Sequence, residues 1–167
     1  MKMIKKVVKC ISGLFVAGFL LSALDAAAVT LANDFQGRSW HVSPMAAANG
    51  TGTQTSPFRT IQDAVDAASD GDVINLGPGV YRLGGRSSEC QAVTTFSRVV
   101  VDKKLKIAGS GRMSTVIEGA AGADPDEDGL GPEAVRCMLF TAEAAGSLLE
   151  KVTLRGGRTI SADTSKT

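Results

Sequence analysis

Asp124-Pro125-Asp126-Glu127-Asp128-Gly129 gathers four carboxylates into five positions and closes on a glycine. Carboxylates at alternate positions supply the oxygen ligands that a hard cation requires, and the glycine permits the turn that brings them together. Calcium is therefore the ion that Asp124, Asp126 and Asp128 would take. The resemblance to a helix-loop-helix calcium loop breaks off downstream. That loop needs a glutamate at position 135, where this chain has Val135, and Glu133 falls two residues short. A solvated acidic loop is the competing reading, and a catalytic carboxylate set is a third.

His41 is the single histidine, so any Ser-His-Asp triad or histidine metal site would have to run through it. It alternates with Trp40 and Val42 on an early strand pattern, which assigns it a structural place. Arg38, Arg155 and Arg158 have the forked donors that pair with carboxylates, as on an acidic sugar; ordinary surface arginines are the alternative. No nucleophile elbow, phosphate loop or zinc-protease motif occurs. No catalytic residue is assigned.

Lys2, Lys5, Lys6 and Lys9 precede an apolar run from Cys10 to Leu24, and Ala26-Ala27-Ala28 follows with small side chains. This is the pattern of a secretory signal peptide over residues 1–28. The apolar run is shorter than the roughly 20 residues that span a bilayer. Cleavage would leave 139 residues and remove four lysines and one aspartate, taking the formal net charge from +1 to −2. With no basic stripe, nucleic acid is excluded as a partner. The chain is expected to be secreted or displayed at the cell surface, the periplasm included, with no membrane span after cleavage.

Cys90 and Cys137 would remain after cleavage. An even pair in an exported chain reads first as a disulfide, closing about 47 residues and worth ~3–4 kcal/mol in the chain-entropy model. Two unpaired buried thiols are the alternative.

The elements that would position these residues follow a repeated pattern. Ile61, Ala64, Val65 and Ala68 make one apolar helical stripe, Thr60 stands at the N-cap, and Ser69-Asp70-Gly71-Asp72 ends the helix. From Val73 the period becomes two. Strand candidates follow at Val99-Val100-Val101, "LKIAGSG" from Leu105, "TVIEG" from Thr115, "CMLF" from Cys137 and "LLEKVTLRGG" from Leu148. No second helix is expected, which excludes alternating βα units. An apolar-x-apolar run ending in glycine recurs in "INLGPG", "LKIAGSG", "TVIEG" and "VTLRGG", which favours a solenoid of stacked strands over a sandwich. A solenoid needs a cover at its first coil, and the helix over 60–69 fits that place.

"WHVSP" at 40–44, then "TGTQTSPFRTIQDAVDAASDGDVINLGPGVY" from Thr51, resembles the N-terminal cap and first coil of right-handed parallel β-helix proteins of the pectin-lyase-like superfamily. The likeness extends over roughly residues 40 to 157. It implies an all-β, single-stranded right-handed parallel β-helix with a short N-terminal capping helix. The expected organisation is a strand and glycine-rich loop over 29–56, then the cap and first coils over 57–157. Insertions at 84–98 and 120–136 would emerge as surface loops, and 158–167 would be a polar tail. Because that tail stands where another coil is due, the sequence reads as the front of a longer protein. An uncapped last coil would offer a surface for self-association.

The superfamily includes polysaccharide lyases, glycoside hydrolases, adhesins and surface proteins without chemistry. In its lyases the calcium-binding acids and the basic residue lie on central coils beyond the cap. The resemblance thus implies a scaffold or carbohydrate-contacting segment, with polysaccharide or cell-surface glycan as partner and no catalytic site. The front of a lyase or hydrolase and a calcium-dependent adhesin module are the alternatives.

Overall fold

The computed structural model describes residues 34–90, 93–122 and 133–158. The expected signal peptide, Asp124, Asp126, Asp128 and most of the polar tail lie outside the described residues. The chain divides into a leading unit that ends at Phe35 and a second from Gln36; all that follows concerns the second.

Among the described residues the protein is mostly strand, with one α-helix, as the all-β expectation requires. The first sheet contains β1 (Ser39–Val42), β2 (Val73–Leu76), β7 (Lys106–Gly109) and β11 (Leu148–Glu150), in that spatial order. A second contains β3 (Gly79–Tyr81), β8 (Thr115–Glu118) and β12 (Thr153–Arg155). A third pairs β6 (Val100–Val101) with β10 (Leu139–Phe140). The fourth holds β4 (Arg86–Cys90), β5 (Val93–Ser97) and β9 (Val135–Arg136). Every strand pairing is parallel except the β4–β5 hairpin. From β2 onward the chain enters the first sheet, the second, the fourth and the third, and then returns to the first.

Register stacks like on like. Trp40, Ile74, Ile107 and Leu149 align through the first sheet, and Tyr81, Ile117 and Leu154 through the second. Period-two alternation turns these side chains to one interior, where Ile74, Ile107 and Ile117 are fully buried with Val99, Val101 and Leu105. Burying each is worth ~1.5–3 kcal/mol. The recurring glycine after each apolar run has a steric cause at Gly119. A Cβ there would lie 2.3 Å from the Val135 carbonyl oxygen and 2.6 Å from the Gly157 Cα.

The helix α1 (Ile61–Ala67) packs on β1, β2 and β6 through Ile61, Ala64 and Val65. Thr60 caps it, its hydroxyl accepting from the Asp63 N–H at 3.1 Å. Gln62 completes the cover over the third sheet. Its carboxamide accepts from the Val100 N–H at 2.8 Å and donates to the Val100 carbonyl at 3.3 Å, as a neighbouring strand would. On β1 the far edge is occupied by the loop before the helix: the Ser43 N–H donates to the Phe58 carbonyl, and the His41 carbonyl accepts from the Phe58 N–H.

Three expectations need correction. The expected insertion at 84–98 carries regular structure rather than only a loop: β4 (86–90) and β5 (93–97) pair antiparallel, and β5 also pairs with β9. Its buried positions carry Thr95 and Ser97, so its periodicity is polar and carries no hydrophobic signal. "LLEKVTLRGG" is two strands, because Lys151 adopts a left-handed φ of 57° and turns the corner between β11 and β12. The expected Cys90–Cys137 disulfide is not made, since Cys137 is a free, buried thiol. The registers give the reason. Cys90 lies opposite Val93, four residues along β5 from Ser97, and Ser97 pairs with the residue preceding Cys137. Four strand residues span about 13 Å, well beyond the roughly 7 Å Cα separation a disulfide tolerates.

Candidate functional site

The repeated strand-glycine pattern sets one residue before each corner on the outside of the second sheet. In β8 that residue is Glu118, and in β12 it is Arg155, its register partner. Arg82 follows Tyr81, which pairs with Ile117, so it stands on the other side of Glu118. Glu118 Oε1 accepts from Arg155 Nε at 3.0 Å and lies 2.7 Å from Arg155 Nη2, while Oε2 pairs with Arg82. The hydrogen bond from Arg155, outweighing partial desolvation and helped by Arg82, holds the Glu118 carboxyl below the usual carboxylate range. Glu118 is thus ionised at neutral pH, with both oxygens engaged.

Arg98 anchors the inner side of this ladder. Its Nε donates to the Glu118 carbonyl at 3.1 Å and its Nη1 to the Gly84 carbonyl at 3.0 Å. Burial lowers its pKa, against the opposing influence of Cys137 and Glu118. The Cys137 thiol donates to the Arg155 carbonyl at 3.2 Å. The chain beyond β12 stays close, because the Arg158 N–H donates to the Val135 carbonyl at 3.1 Å.

These contacts leave an open groove of about 620 Å³. Arg136, Arg155 and Arg158 line it, Met138 and Leu154 supply its apolar surface, and among the described residues no acidic side chain lines it. Its described lining is cationic and apolar. Guanidinium donors are fixed in charge and weakly hydrated, and the Cys137 thiol also lines the groove.

The other candidates fall elsewhere. Arg155 and Arg158 are brought together, whereas Arg38 stacks over the Trp40 ring at 4.1 Å in the cap region. His41 sits half-buried on β1, its backbone bonded to Gly52 and Phe58. The calcium ligands expected at Asp124, Asp126 and Asp128 lie outside the described residues. Among the described residues, no three of His, Cys, Asp or Glu group as a metal site would require, and no helix is long and apolar enough to cross a membrane. Sequence reasoning passed over Arg82, Glu118 and Arg136. For Glu118 a signal existed, since it stands before the glycine of "TVIEG" as Arg155 does in "VTLRGG". Comparison with protein-family models, with curated proteins and with solved structures found no match.

Proposed function

We propose that this chain is the front segment of a right-handed parallel β-helix of the pectin-lyase-like kind, exported to the cell surface or beyond, where it acts as a carbohydrate-contacting scaffold without a catalytic centre. The observation that carries the reading is the return of the chain to the same sheets in register, under a helix that covers the first layer. A stack of this kind makes a rigid ladder of outward side chains, which suits a repeating polymer. The open groove with cationic and apolar sides supports contact with a glycan. The leading 28 residues support export.

The test is to express the chain with its own leader, determine the N-terminus of the exported protein, and run it in native gels cast with neutral or acidic polysaccharides. Cleavage near Ala28 and slowed migration in at least one polysaccharide are expected. An exported chain that still begins at Met1, or one that no polysaccharide slows, overturns the reading.

A further inference from the structure

We propose that Asn49 is a site of spontaneous covalent modification, where the Gly50 backbone nitrogen closes on the Asn49 side chain and the residue ends as aspartate or isoaspartate. Of the asparagines in the chain, Asn33, Asn49 and Asn75, only Asn49 precedes a glycine. It lies exposed in the turn from Ala47 to Gly50, and among the described residues no group holds its carboxamide. Gly50 brings no side chain to obstruct the approach. Its N–H donates to the Ala47 carbonyl, at a long 3.4 Å. Asp70-Gly71 offers the same backbone chemistry from a carboxyl, but there both partners are clamped. The Gly71 N–H donates to the Lys104 carbonyl and Asp70 Oδ1 accepts from the Lys104 N–H, both at 2.8 Å. Asn75 sits on β2, bonded to strands on both sides, and is followed by the bulky Leu76.

The chemistry needs only water. The Gly50 nitrogen loses its proton and forms a bond to Asn49 Cγ, closing a succinimide ring. The bond from Cγ to the side-chain nitrogen breaks, and that nitrogen leaves as ammonia, taking up the proton. Water then opens the ring. Attack at Cγ gives aspartate on the original backbone, whereas attack at the Asn49 main-chain carbonyl gives isoaspartate, whose backbone runs through Cβ and Cγ and is one carbon longer. The loop can hold the first product and not the second. The Thr51 N–H donates to the Ser56 carbonyl at 2.9 Å, and the Gly52 carbonyl accepts from the His41 N–H at 2.8 Å, which fastens the loop to β1. Gly50 presses on Pro57, whose carbonyl a Cβ at position 50 would strike. A longer backbone has no room there. Isoaspartate therefore pushes Gly50 off Pro57 and loosens Phe58, whose N–H and carbonyl cover the edge of β1. Aspartate adds only an exposed negative charge. Position 49 thus carries a slow, irreversible release on the loop that closes the first sheet.

The experiment incubates the folded chain in water enriched in heavy oxygen, at neutral and at mildly alkaline pH. Peptide mapping by mass spectrometry follows, with fragmentation that separates aspartate from isoaspartate. Both products are expected at position 49, carrying the heavy oxygen and forming faster at the higher pH because the Gly50 nitrogen must lose its proton, while Asn75 stays intact. Asn49→Gln should lose the reaction, since its longer side chain would have to close a larger ring, and should keep the melting curve because the site is exposed. An Asn49 that survives in the folded chain, whether or not it converts in urea, overturns the site. Aspartate without isoaspartate means direct attack by water and overturns the role of Gly50. Hydrogen exchange at the Ser43 and Phe58 amides should be several-fold faster in the isoaspartyl fraction and unchanged in the aspartyl one. Equal protection in the two fractions overturns the loosening.

Discussion

Asp72 shows how much one side chain can organise. Its Oδ1 accepts from the Arg38 N–H at 2.7 Å, and its Oδ2 accepts from the Trp40 indole and the Ser69 N–H, both at 2.9 Å. It thereby ties β1 to the turn that ends α1. Burial raises the cost of its charge, yet the hydrogen bonds from Ser69, Trp40 and Arg38, with the Arg38 guanidinium, outweigh that cost and hold its pKa below 3.8. Because the folded value is depressed, the stabilisation is present above the unfolded value and is lost as pH falls below 3.8 through the folded one. Asp72→Asn should cost about 2–3 kcal/mol, since an amide group must turn a donor toward one of the three donors it faces. Urea unfolding at neutral pH measures this. In the variant, the acid-induced fall in stability below pH 4 should shrink; an unchanged acid limb would remove Asp72 from the pH dependence.

At the scale of elements, α1 covers two sheets by different means. Ile61 and Val65 bury apolar surface on the first, while Gln62 mimics a strand against β6. Gln62→Leu preserves the bulk but strands the Val100 N–H and carbonyl in a buried place, at a cost of about 1–3 kcal/mol. Faster hydrogen exchange at Val100, with the Ile61 contacts intact, would identify the cause; unaltered exchange there would refute it. The hairpin is held to the same helix electrostatically, as Arg86 bridges Asp66 and Asp102. These partners are partly exposed, so Arg86→Gln should matter little to global unfolding and mainly loosen β4–β5, which proteolysis within the hairpin would report. The stripe from Ile61 to Ala68, the Thr60 cap and the main-sheet strands were legible because apolar periodicity and capping chemistry are local. The hairpin was not, because its interior positions are Thr and Ser. Nor were Asp72 and Gln62, whose long-range partners lie 32 to 38 residues away in the chain. Of the groove, Arg155 and Arg158 were legible by type, but only the register of β8 and β12 shows which carboxylate orients Arg155 and where the groove lies.

Across the whole molecule, the layers are unequal in a way the stacking dictates. Ile107 lies between Ile74 and Leu149 in register and is fully buried. Leu154 occupies the equivalent interior position of the second sheet above Ile117, yet is 48% exposed. In the sheets as described, β2 and β8 are bonded on both sides, whereas β11 and β12 each have one strand neighbour. Interior truncations should therefore grade with layer. Ile107→Ala should cost ~2–5 kcal/mol, the range for a fully buried site, while Leu154→Ala should cost less because much of its side chain is already in water. Amide exchange should follow the same order, with β2, β7 and β8 opening only through global unfolding and β11 and β12 through local opening. Denaturant-dependent exchange separates the two modes, since globally opening amides share the slope of equilibrium unfolding and locally opening ones show almost none. Equal slopes in all layers, together with equal costs for the two truncations, would mean that the stack opens as one block and that a cover outside the described residues protects its last layer. A gradient would place the least stable backbone in β11 and β12, beside Leu154 and Arg155.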